Sequence, residues 1–183
     1  MKVSVSTVTN IKITELERLD PVCVMVENFA LGVGSITITN FGDAWHASWR
    51  AMSDRTVEQF FTDCGNNYLI GCLAPQLDSM IDHDNDANME FVQKEIIRLR
   101  RQGEIEKEEA RQYWEEAGGS DDVKALCFDY GIGSSLTSLF GDDPWYQKWP
   151  TVPNPKYNRL ERICDAVRAA FIHLAEKEIK TNE

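Results

Sequence analysis

SITITNFGDAWHASWRAMSDRTVEQFF, residues 35–61, changes its period part-way along. In the first half, apolar and polar residues alternate. Ile36 and Ile38 oppose Thr37 and Thr39; after a Gly42-Asp43 turn, Trp45, Ala47 and Trp49 oppose His46 and Ser48. A period of two belongs to a half-buried strand. Beyond Met52 the spacing lengthens. Val57, Phe60, Phe61 and Cys64 fall at i, i+3, i+4 and i+7, one stripe of a helix. Ser53 or Asp54 is the expected cap of its first turn. A sheet therefore precedes helices.

Toward the N-terminus the strand pattern continues. Ile11 to Leu19 alternates until Asp20-Pro21 interrupts it, VCVMVENF (22–29) is β-branched, and Gly32 and Gly34 bracket a turn. Residues 1–52 read as an antiparallel meander of three or four strands. Toward the C-terminus helices are expected. Gly65-Asn66-Asn67 ends the first, and an apolar segment follows from Tyr68, with Pro75 expected to start or kink a helix. Met89, Val92, Ile96 and Leu99 form one stripe; Ala110, Tyr113, Trp114 and Ala117 form another. The short break at Gln102-Gly103-Glu104 makes them an αα-hairpin. Gly118-Gly119-Ser120 stops the second helix ahead of a third at Asp121-Asp122. A Pro- and Trp-rich loop over 141–155 is expected to pack on the core. Asn154-Pro155 then opens an amphipathic last helix carrying Leu160, Ile163, Cys164, Val167, Phe171 and Leu174. The fold class is α+β, a single domain over 1–183 with a meander (1–52) and a mainly helical remainder (53–183).

Thirty acidic against 19 basic side chains give a net charge of −11. Such a chain repels phosphate on average, so direct nucleic-acid binding is not expected, and a partner with a basic surface is. The five cysteines are widely spaced, lack a C-x-x-C pair and mostly sit in apolar settings, as in a reducing compartment. No apolar leader and no membrane-length apolar run stand out, so a cytoplasmic protein is expected.

Few residues suggest chemistry. Asp82, Asp84 and Asp86 match positions 1, 3 and 5 of a calcium loop, with Glu90 at position 9. Ala87 replaces the required glycine and Gln93 the bidentate carboxylate, so capping by Asp84 and Asp86 ahead of the Met89 helix is the better reading. His83, flanked by carboxylates, could serve a small metal-dependent enzyme built on Asp82, Asp84 and Asp86, and this stands as the alternative. His46 and His173 lie far off in sequence. Gly131-Ile132-Gly133-Ser134-Ser135 lacks the lysine of a phosphate loop and the frame of a nucleophile elbow. The basic run from Arg98 to Arg101 closes a helix, where cations suit the dipole, and should pair with the acidic segment after it. No catalytic residue, metal site or cofactor is assigned.

The candidate binding surface is acidic: Asp82, Asp84, Asp86, Glu90, Glu104, Glu106, Glu108, Glu109, Glu115, Glu116, Asp121 and Asp122, with Asp78 and the Asp142/Asp143 pair as outliers. Carboxylates sharing a face can imitate a phosphate track in a basic groove. Trp145, Tyr146 and Trp149 offer a surface for homo-oligomers.

AMSDRTVEQFF (51–61), NNYLIGCL (66–73) and PNPKYNRLERICDAVRAAF (153–171) resemble small accessory proteins of enterobacterial tailed phages and prophages. The resemblance covers the first strands through residue 73 and the last 35 or so residues, and carries no site residues. It implies a class, phage accessory proteins that modulate host nucleic-acid enzymes and defences. With the acidic charge and the missing catalytic constellation, the expectation is a non-enzymatic protein that binds a host protein, as an acidic inhibitor of a nucleic-acid enzyme or an anti-phage defence complex.

Overall fold

The computed structural model describes residues 1, 3, 5–128, 133–141 and 143–181. They group into two compact units, residues 1–79 with 155–183, and residues 80–154. The α+β order holds: a four-stranded antiparallel sheet comes first and helices follow.

In the first unit, strands β1 (Thr9–Ile13), β2 (Val22–Ala30), β3 (Val33–Asn40) and β4 (Asp43–Trp49) lie side by side in sequence order. Register sets the core. Ile11, Val24, Ile38 and Trp45 form one cross-strand row, and Val26, Ile36 and Ala47 another. Val24, Val26, Ile36 and Ile38 are fully buried. The opposite face carries Asn10, Met25, Thr37 and His46, with Thr37 Oγ1 3.0 Å from His46 Nδ1. Alternation in the sequence is thus alternation between core and solvent.

Helices α1 (Val57–Asp63), α2 (Asn66–Leu73) and α6 (Pro155–Thr181) belong to this unit. The cap of α1 is Thr56, not Ser53 or Asp54. Its hydroxyl accepts from the Gln59 amide, while the Gln59 side chain accepts from the Thr56 amide. Ser53 and Asp54 instead take positive φ of 52° and 61° in the turn before the helix. Asn28 of β2 holds the same helix start, accepting from the Val57 amide at 2.8 Å and donating to Glu58 at 3.1 Å. The α2 helix ends at Leu73, so Pro75 neither starts nor kinks a helix; it lies in the turn beyond.

Pro155 opens α6 as the sequence suggests. Leu160, Ile163, Cys164, Val167 and Phe171 are buried, and Phe171 meets Phe61 edge to face at 5.7 Å. Leu174 departs from the expected stripe and is exposed, with Ile172 and Ile179. Arg159 binds Asn40 Oδ1 at 2.6 Å and Asp43 at 2.8 Å. Asn40, nearly fully buried, donates to the Asp20 and Pro21 carbonyls. Sheet and helix are joined by a satisfied polar network.

The second unit holds the αα-hairpin. α3 (Asn85–Gln102) and α4 (Lys107–Gly118) are followed by α5 (Val123–Phe128). Gly103, at φ 74°, closes α3 in the left-handed conformation that a side chain disfavours. Val92, Ile96 and Leu99 of α3 pack with Tyr113 and Ala117 of α4, Val123 and Cys127 of α5, and Leu136 and Leu139. Two short 3-10 helices (Ser135–Ser138 and Pro144–Tyr146) follow. β5 (Met80–Ile81) pairs antiparallel with β6 (Val152–Pro153). From the 141–155 loop, Trp149 packs against Phe91, Phe128 and Phe140 at the edge of this core.

Candidate functional site

All twelve acidic candidates belong to residues 80–154. That segment carries 16 of the 30 acidic and eight of the 19 basic side chains, hence eight of the eleven net negative charges. Charge is concentrated in one unit rather than spread over the chain.

Most of these carboxylates are engaged locally. Asp84 caps α3, accepting from the Ala87 amide at 2.9 Å, a bond typically worth ~1 kcal/mol. Asp82 meets the Lys124 ammonium at 2.7 Å, and that hydrogen bond and charge hold its carboxyl below the ordinary range. Lys124 also lies 5.5 Å from the centre of the Trp149 ring. Glu90 pairs with Lys94 at 2.6 Å and is likewise held low by it. Glu104 faces Arg98 at 3.8 Å, and Glu115 binds Arg111 at 2.9 Å. Glu109 accepts from the Tyr113 hydroxyl at 2.7 Å and the Glu106 amide at 3.4 Å. Asp122 accepts from the Ala125 amide at 2.9 Å. Burial raises the pKa of Glu116, but hydrogen bonds from Ser134 and Ser135 outweigh it and leave the carboxyl low.

Asp86, Glu108 and Asp121 have no hydrogen-bonding or ionic partner among the described residues. These three are the carboxylates most available to an outside cation. Asp78 lies in the other unit and has contacts of its own. Of the Asp142/Asp143 pair, Asp142 lies outside the described residues, as do 129–132 and with them the first two residues of the 131–135 glycine stretch.

A cation at the Asp82–Asp86 stretch would have to displace Lys124 from Asp82 and the Ala87 amide from Asp84. Among the described residues no three His, Cys, Asp or Glu side chains are grouped to hold a metal. Asn88 is buried beside this stretch, donates to the Asp82 carbonyl at 3.1 Å, and leaves its Oδ1 without a partner. His83 is exposed.

Because Asp82 is exposed and its pair is a surface one, its contribution to stability is small, ~0–1 kcal/mol. Its folded pKa lies below the unfolded value. The stabilisation is therefore full above about pH 4, the ordinary carboxylate range, and disappears as pH falls through the lower folded pKa. Asp82→Asn is expected to lower the melting temperature slightly at pH 7 and leave it unchanged at the acidic end of a pH series.

The basic run behaves partly as expected. Arg98 binds Glu95 at 2.7 Å and faces Glu104. Arg100 reaches only the Ile105 carbonyl, at 3.4 Å, and Arg101 has no partner among the described residues. Both line a groove of about 520 Å³ between α3 and α4, floored by Ile97, Ala110 and Trp114. Trp114, read from sequence as a core position, is 41% exposed there. Helical spacing alone placed it at the edge of the stripe and could not say which side of the edge.

The 145–149 aromatics divide. Trp149 is half-buried and donates to the Pro144 carbonyl at 3.1 Å; Trp145 and Tyr146 are exposed. Cysteines offer no activated thiol at Cys127 or Cys164, where burial pushes the pKa up to about 12. Cys23, Cys64 and Cys72 are half-buried rather than enclosed. No helix among the described residues is long and apolar enough to cross a membrane.

Comparison with protein-family models matches residues 1–173 to a family described as a phage family, and the chain belongs to it. Neither the curated proteins nor the solved structures give a match.

Proposed function

We propose that this phage-family protein is a non-enzymatic accessory protein that acts inside the host cell by binding a host protein through the acidic surface of residues 80–154. The observation that carries the reading is the concentration of eight of eleven net negative charges in that segment. Asp86, Glu108 and Asp121, unpartnered among the described residues, supply carboxylates that can meet a partner's lysines and arginines. A nucleic-acid enzyme or defence complex with a basic groove is the partner class that fits, the protein standing in for phosphate. The interleaved cations Lys94, Arg98, Arg111 and Lys124 limit this mimicry to patches and argue against a continuous phosphate track.

The test is a tagged pull-down from an enterobacterial lysate at low and at high salt, read by mass spectrometry. A basic-grooved nucleic-acid or defence protein held at low salt and released at high salt is expected, because screening shortens the reach of surface charge to ~3 Å at 1 M. Capture that survives high salt would remove the charge-based part of the reading.

A further inference from the structure

We infer that the cavity bounded by β4, the turn after α2 and the first turn of α6 is a binding site for a small ligand joining a flat ring to one anionic group. The cavity has a volume of about 450 Å³, and its lining includes Trp45, Leu73, Leu77, Asp43, Lys156 and Arg159. All of it lies within the first unit. Apolar walls with a few convergent polar groups are what small-molecule sites share, and this volume falls in their usual range.

Three features point to the ligand class. Trp45 is half-buried and has neither a ring partner nor a hydrogen bond among the described residues, so its indole N–H and ring face are available to an occupant. A planar ring stacked on Trp45 against Leu73 and Leu77 would satisfy that surface. Arg159 is pre-aligned. Its Nη2 donates to Asn40 and one Nη1–H to Asp43, which holds the guanidinium in place and leaves Nε–H and the second Nη1–H unengaged among the described residues. Lys156 is a second cation on the same wall. Both stand in the first turns of a 27-residue helix, where backbone amides and the dipole favour an anion. The Asp43 carboxylate sets the limit: it opposes a string of phosphates and favours one anionic group beside a hydroxyl donor. A phosphomonoester on a nucleoside and a carboxylate on an aromatic ring share this chemistry.

The test is calorimetric titration of the full chain with adenosine monophosphate, indole-3-acetate, adenosine and inorganic phosphate. At least one ring-bearing anion is expected to bind with Kd below ~1 mM, and adenosine and phosphate at least ~10-fold more weakly. Which anion binds tells phosphate from carboxylate. Lys156→Ala, at an exposed position, is expected to weaken binding ~5-fold or more, and Trp45→Leu to abolish it. Should Trp45→Leu not fold, the Trp45 indole N–H resonance of the wild-type chain serves instead and is expected to shift on titration. No binding of either ring-bearing anion at millimolar concentration overturns the inference. So does phosphate binding as tightly, or affinity unchanged by Lys156→Ala with an unmoved Trp45 resonance. None of these results touches the acidic-surface reading, which rests on the other unit.

Discussion

Phe61→Ala is expected to destabilise the protein by ~3–5 kcal/mol, the cost of emptying a fully packed aromatic site. Phe61 has no solvent exposure, sits on the inner face of α1 and meets Phe171 of α6 edge to face at 5.7 Å. Removing the ring deletes buried apolar contact and the aromatic pair together, and rigid neighbours close only part of the space. For a chain of this size the melting temperature should fall by ~10 °C. Phe61→Leu, which keeps most of the volume, should lose less than half as much. A fall of only a degree or two for Phe61→Ala would mean that α1 and α6 do not share this core.

Gly34→Ala has the second large effect, for a different reason. A Cβ built on Gly34 would stand 2.5 Å from Val57 Cγ2 and 2.6 Å from the Glu27 carbonyl oxygen. One obstacle is a fully buried side chain and the other is backbone, so neither can swing aside. Gly34 faces Asn28 across the irregular end of the β2–β3 pairing, and Asn28 grips the first amide of α1. The extra methyl therefore pushes the helix start off the sheet. Overpacking of this kind costs ~1–3 kcal/mol. Gly42→Ala is the contrasting case: nothing lies within 4 Å of its added Cβ, although its φ of 89° still strains any side chain. Thermal melts of the two variants separate steric from conformational cost. Equal melting temperatures for Gly34→Ala and the wild type would contradict the close approach of α1 to β3.

These two effects show what the sequence could and could not convey. The change of period between Ile36 and Phe61 announces sheet and then helix, because strand and helix impose different spacings on their buried residues. The same spacing hides which elements meet. Nothing in the local pattern around Gly34 says that Val57 will sit on it. The cap of α1 is a miss of another kind: Ser53 or Asp54 is the expected cap, although the Thr56–Gln59 spacing of a capping box is a local signal that points to Thr56. At the acidic surface, composition revealed the charge but not its engagement. Lys124 stands 42 residues from Asp82, and Ser135 19 residues from Glu116, so neither pairing leaves a local signature. The pocket at Trp45 is drawn from β4, the turn after α2 and α6, segments far apart in the chain, so no local pattern announces it.

The most direct measurement is the affinity of the captured host partner for the wild-type chain and for the triple reversal Asp86→Lys, Glu108→Lys, Asp121→Lys, across a salt series. All three positions are exposed, and none bonds to another side chain among the described residues, so the fold should tolerate the change. The expected result is at least a ~100-fold loss at low salt, corresponding to ~1 kcal/mol per reversed charge, with the two proteins converging as salt rises. Equal affinity of the two proteins at every salt concentration would contradict a partner held by the acidic surface of residues 80–154.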